Sequence, residues 1–168
     1  MKLLALSILA CLIGTTLYAG DQKELRGKTF TFTVPGDVEA KSPEDNNNIP
    51  MQWESGQGTT IFVITSMRLN NASKVLASQA DTMEQALEAE FKKQFSELQK
   101  NRKEIQLASF KGIELEFILK HASGLVMHYV HFYLSDGAQM LHGQLTAHSP
   151  NDKEKAHAIL RSAKLTTK

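Results

Sequence analysis

Hydrophobic and polar positions alternate along much of this chain, and the period of the alternation predicts its elements. Residues 28–34 (KTFTFTV) place Phe30, Phe32 and Val34 on one side before Pro35-Gly36, the pattern of a half-buried strand closed by a turn. Residues 37–48 read as a loop, and residues 51–54 as a short strand around Trp53. In residues 59–69 the run Ile61-Phe62-Val63-Ile64 is continuously apolar, which predicts a strand covered on both faces. Residues 70–80 read as a polar connection. From 83 to 100, Met83, Ala86, Leu87, Phe91, Phe95 and Leu98 recur at helical spacing, with Thr82 and Gln85 placed as a capping box.

The remainder reads as a meander. Residues 104–110 and 112–120 flank Lys111-Gly112, and Ile113, Leu115, Phe117 and Leu119 alternate with Glu114 and Glu116, so one face is expected inside and the glutamates outside. Residues 125–134 and 139–146 flank Asp136-Gly137, a pair that supplies the positive φ of a tight hairpin. Ser149 and Pro150 then stand as cap and first residue of a short helix with Ala156, Ile159 and Leu160 inward. Leu165 closes with a last strand. The expectation is a single α+β domain, an antiparallel sheet of six to eight strands flanked by two helices.

The first 19 residues read differently. Lys2 precedes the apolar run of residues 3–13, which is shorter than the roughly 20 residues that span a bilayer; this predicts a secretory signal peptide cut after Ala19. A loose leader is expected over 20–27 and the folded domain over 28–168. The compartment expected is a bacterial periplasm or the outside of the cell. Cys11, the only cysteine, falls within the leader, so the exported chain would form no disulfide. An alternative takes Ile8-Leu9-Ala10-Cys11 as a lipoprotein box with Cys11 acylated.

Composition adds exclusions. The chain has 168 residues, 42% of them hydrophobic and 22% charged, as in one ordinary globular domain. Without the leader, 18 Lys and Arg face 18 Asp and Glu, and that balance lacks the basic footprint a nucleic-acid partner requires. No nucleophile elbow, zinc-protease helix or phosphate loop is present. Gly56-Gln57-Gly58 lacks the strand-then-helix context that phosphate binding needs and reads as a turn. Lys92, Lys93, Lys100, Arg102 and Lys103 suit the negative end of a helix dipole.

Six histidines leave one constellation with chemistry. A two-residue turn at Asp136-Gly137 sets His131 opposite His142 and Tyr129 opposite Gln144, with His128 on the other face. Keeping the apolar faces aligned across residues 122–124 puts Glu116 or Glu114 beside His131. Opposed Cβ atoms lie about 5 Å apart, so His131, His142 and Glu116 are the candidate ligands of a divalent ion, zinc fitting best. The competing expectation is a polar or partly helix-covered sheet face with no ligand.

The order of elements, with Phe32, Val34, Pro35 and Gly36 at the start, Gly112 in the meander, Asp136-Gly137 at the hairpin and Ser162 with Leu165 at the end, resembles the PsbP/DcrB-like family of small secreted α+β domains. The chain departs from that pattern after Gly36, where the family commonly carries tryptophan and Asp37-Val38 stands here. The resemblance implies a non-enzymatic accessory protein that works by binding an envelope protein, with no cofactor. A metal- or small-ligand-binding module on the outer face of the last hairpin is the alternative, and an enzyme built on that face a third reading.

Overall fold

The computed structural model describes residues 21–27, 29–40, 47–56, 58–68 and 71–165. The expected signal peptide and Cys11 lie outside the described residues. Ten strands and two helices follow in the order β1 (Gln22–Arg26), β2 (Phe30–Pro35), β3 (Glu39–Ala40), β4 (Asn48–Ser55), β5 (Gly58–Arg68), α1 (Ala72–Gln94), β6 (Glu97–Leu107), β7 (Phe110–Lys120), β8 (Val126–Ser135), β9 (Gln139–Ala147), α2 (Pro150–Arg161) and β10 (Lys164–Leu165). Seven strands form one antiparallel sheet in the order β3-β4-β5-β9-β8-β7-β6, and β1-β2-β10 form a smaller one. The α+β architecture expected from the alternation is therefore observed. The stretch expected as a loose leader contains β1, in register along β2 from Gln22 opposite Pro35 to Arg26 opposite Thr31.

Each face of the large sheet has its own core. On one side the small sheet and α2 bury Phe30, Phe32, Val34, Phe62, Phe132 and Ile159. Phe62 meets Phe132 edge-on, and Phe30 tilts against Phe110. Ser149 caps α2 as its sequence predicts, its hydroxyl accepting from the Asn151 amide. At the far end of α2 the Ser162 hydroxyl accepts from the Thr33 amide at 2.8 Å and donates to the Thr33 carbonyl at 3.1 Å, tying the helix to β2.

On the other side α1 packs across β6, β7, β8 and the near end of β9. It begins at Ala72, eleven residues before the start the pattern indicates, and ends at Gln94, so Leu98 belongs to β6. Ala72, Leu76 and Ala80 carry the apolar stripe back one helical turn at a time and are buried against Tyr133 and Met140. Further along, Leu87, Phe91 and Phe95 cover Leu115, Phe117 and Leu119. Thr82 is thus mid-helix; its hydroxyl donates to the Ser78 carbonyl rather than capping. Lys100 and Arg102, expected at the helix end, reach from β6 to Glu84 and Glu88 on α1.

α1 does not reach the far half of its face. Residues of β5 alternate between buried and open, with Phe62 and Ile64 inside and Ile61 49% exposed, so the strand is covered on one face only along this stretch. Pro50 and Gln52 beside it are exposed too, and Val63, Gln144 and Thr146 are half-buried.

Candidate functional site

Alternation along β8 points Tyr129, His131 and Tyr133 at α1 and sends His128, Val130 and Phe132 to the α2 side. The hairpin bends one residue later than expected. Gly137 and Ala138 form the tip, Gly137 at φ 100°, and the Asp136 carboxylate accepts from the amides of Ala138 and Gln139. Tyr133 thereby faces His142, and His131 faces Gln144. The slip of two residues in pairing leaves each side chain on its expected face, so His131 and His142 meet as diagonal neighbours.

They meet closely. His131 Nδ1 lies 2.8 Å from His142 Nε2, with the rings within 15° of parallel and their centroids 5.1 Å apart. Nearly coplanar rings joined nitrogen to nitrogen aim their lone pairs at each other, the geometry of a shared proton. Tyr133 Oη stands 3.4 Å from the same His131 nitrogen, and Gln144 donates to Tyr129 Oη at 2.7 Å. His131 is 1% exposed. Burial, with a smaller contribution from His142, pushes its pKa down to about 3, and burial lowers that of His142 as well. Burial first, then Tyr129, pushes the Tyr133 phenol up to about 12. The cluster is neutral at physiological pH.

The protons can be assigned. Buried His131 Nε2 has no partner, and an orphaned buried N–H is rarer and costlier than an orphaned lone pair. Nε2 is therefore the bare nitrogen and Nδ1–H donates to His142 Nε2. A neutral imidazole carries one N–H, so the His142 proton sits on Nδ1, which has no hydrogen-bond partner among the described residues. His142 and Tyr133 also floor a cavity of about 370 Å³ whose α1 wall is Ser78, Gln79, Thr82 and Met83.

Glu116 is elsewhere. The residues of β7 and β8 pair with Leu115 opposite His131 and Glu116 opposite Val130, one position from the expected register, which turns Glu116 and Glu114 to the α2 face. The reason is that adjacent strands use opposite faces for their large apolar residues. Leu115, Phe117 and Leu119 go to α1, Val130 and Phe132 to α2. The metal trio read from the sequence is therefore corrected: the structure joins His131 and His142 and leaves the sheet between them and Glu116. Among the described residues no group of three His, Cys, Asp or Glu side chains is placed to hold an ion.

The glutamates, expected outside, are 2% and 5% exposed beneath α2. Glu114 binds His157 at 2.7 Å and Lys103 at 3.2 Å; Glu116 binds His128 at 3.0 Å; Lys153 bridges them at 3.6 and 2.8 Å. Burial alone would raise both carboxyls, but hydrogen bonds from His157 to Glu114 and from Lys153 to Glu116 hold them below the usual carboxylate range. This is a pinned ion network with its charges matched. A larger hollow of about 870 Å³ at the turn end of the sheet, with Leu76, Lys111, Gly112 and Asp136 in its wall, contains none of the histidines.

No family model matches the chain, and no curated protein matches it in sequence. Solved structures do share its fold. A protein of Bacteroides thetaiotaomicron superposes with a TM-score of 0.59 at 11% identity over 89% of this chain, which spans about half (49%) of that one. LpqN of Mycobacterium tuberculosis, described as involved in cell envelope biogenesis, superposes with a TM-score of 0.52 at 14% identity over 88% of this chain and 91% of its own. Among the described residues no helix is long and apolar enough to cross a membrane.

Proposed function

We propose that this chain is a non-catalytic accessory protein of a bacterial envelope, exported to the periplasm or beyond, that binds another protein through the half of its large sheet that α1 leaves open. One observation carries the reading. On that half Pro50, Gln52, Ile61, Val63, Gln144 and Thr146 make a mixed apolar and neutral surface whose α1-facing positions on β4, β5 and β9 include no Lys or Arg, the acids Glu54 and Glu39 standing at its margin in hydrogen bonds with Thr59 and Gln52. Interface centres are depleted in charge in the same way, while the outer surfaces of α1 and β6 are densely charged. The compartment is supported by the apolar leader of residues 1–19 and by the fold shared with LpqN, and the accessory role by the resemblance to PsbP/DcrB-like domains. The non-catalytic reading is supported by Glu114 and Glu116, the carboxylate pair closest to acid–base chemistry, being committed to ion pairs beneath α2.

Site-directed photocrosslinking in the native envelope tests this. A photoreactive residue at 61 or 63 is expected to give an adduct of one defined mass, and one at Ala158, exposed on the outside of α2, none. Adducts from 158 alone, equal adducts from both faces, or none from 61 and 63 contradict the reading.

A further inference from the structure

The two edges of the large sheet differ. β4 is blunted: Pro50 has no amide hydrogen to offer, and β3 already pairs with Met51 and Gln52. β6, at the opposite edge, has no strand on its outer side among the described residues. Its eleven residues contain no Pro or Gly and pair with β7 without a bulge, from Glu97 opposite Lys120 to Leu107 opposite Phe110, and Gln99 to Glu104 are exposed. Lysine and arginine side chains ordinarily guard an edge of this length. Here they are drawn off it. Lys100 and Arg102 fold onto Glu84, Glu88 and Asp81 of α1, and Lys103 onto Glu114 on the other face. Glu104 stands on the α1 side, opposite Ile113, with no cation within ion-pair distance among the described residues.

An open edge is completed by another strand, and β6 fits a second β6. A two-fold axis perpendicular to the sheet keeps α1 of both copies on one side, so each residue must meet one of its own parity. One such register pairs all eleven residues: the axis passes through Arg102, Glu97 meets Leu107, and Lys100 meets the partner's Glu104 at both ends of the pair. The uncompensated Glu104 thereby gains a cation. At the axis two Arg102 guanidiniums lie among Asp81 and Glu84 of each copy, four carboxylates to two cations. Moving the axis to Asn101 sets Lys100 against Arg102 instead, and further shifts lose pairs at the ends. An antiparallel pair of this length makes about ten backbone hydrogen bonds, as many as a standard protein interface. We propose that two copies of this chain join edge to edge through β6, antiparallel about Arg102, into one continuous sheet. The open half at β4, β5 and β9 lies away from this edge and stays free in the dimer.

Two measurements test this on the folded chain. Sedimentation velocity over about 10 µM to 1 mM is expected to show monomer and dimer in exchange. Glu104→Lys sets a lysine against Lys100 at both places and should raise the dissociation constant about tenfold or more, with Glu104→Gln between it and the natural chain. Circular dichroism melts of both variants should match that of the natural chain, since Glu104 is exposed. The register is read from nitroxide labels at Gln99→Cys or Gln106→Cys, with Cys11→Ser removing the only natural thiol. Distances between like labels should be about 20 Å at 99 and about 27 Å at 106, twice the rise to Arg102 at about 3.4 Å per residue. A chain still monomeric at about 1 mM, a dimer indifferent to Glu104→Lys, or label distances that fit another register overturns the proposal.

Discussion

Trp53 donates its indole N–H to Asp152 Oδ1 at 2.7 Å, joining β4 to the first turn of α2 across ninety-nine residues of chain. The other oxygen of Asp152 accepts from Thr60 on β5 at 2.9 Å, and Lys155 lies 5.0 Å over the indole ring. The carboxylate also sits at the positive end of the α2 dipole, so one buried acid anchors the helix in three ways. Asp152→Ala leaves the indole and the Thr60 hydroxyl unpaired in the core. It is expected to cost about 2–4 kcal/mol in urea unfolding and to shift Trp53 emission; Asp152→Asn, which keeps the acceptor, should cost less than half of that.

The histidine pair makes stability depend on pH in a fixed direction. The His131 pKa is about 3 in the folded chain against an ordinary 6.5, so the unfolded chain binds the extra proton between these values. The contribution is complete above pH 6.5 and is lost as pH falls from 6.5 towards 3. Between pH 7 and pH 5 the unfolding free energy should drop by about 1–2 kcal/mol more in the natural chain than in His131→Phe. Urea midpoints of the two proteins at pH 7, 6 and 5 check this; parallel lines would contradict it.

Lys153 compensates two buried carboxylates at once. Lys153→Met is expected to destabilise the chain at pH 7 by about 3 kcal/mol, because Glu114 and Glu116 lose their shared cation. The deficit should narrow below pH 4.5, where the carboxylates of the unfolded chain take up protons and the variant folds with them neutral. Denaturant titrations at pH 7 and pH 4 give both numbers.

Glycines divide sharply by what surrounds them. A Cβ on Gly112 would overlap the Tyr133 carbonyl of the neighbouring strand, whereas nothing lies within 4 Å of one on Gly56. Gly112→Ala should leave little folded protein, and Gly56→Ala should change the melting temperature by no more than a degree or two. Circular dichroism melts of the two variants separate these outcomes.

The strands were legible because Phe30-Thr31-Phe32-Thr33-Val34 and Leu115 to Leu119 alternate cleanly, and α2 because Ser149-Pro150 is a strong start signal. The beginning of α1 was not, since its buried stripe there is Ala72, Leu76 and Ala80, a single large apolar side chain that does not raise local hydrophobicity above the surrounding Ser, Lys and Gln. Of the site, the common sheet face of His131 and His142 is legible although their direct opposition is not, because a two-residue slip in pairing preserves faces while moving His131 opposite Gln144. The place of Glu116 is not legible, because aligned alternation points to one shared apolar face, whereas β7 and β8 bury opposite faces under different helices. Tyr133 falls on the face of His131 and His142 by strand alternation, whereas the Ser78–Met83 wall depends on the first turns of α1, which the stripe continued back from Met83 through Ala80, Leu76 and Ala72 locates.

The working surface is best tested by charging it without unfolding the protein. Ile61→Lys with Val63→Lys places two ammonium groups where the open half of the sheet would meet its partner, at positions that carry no core load. The adduct formed from a photoreactive residue at Gln144 of the same sheet half should disappear in this double variant while the melting temperature stays within about 2 °C of the natural chain. Retention of that adduct at full yield in the folded double variant would contradict docking through this face.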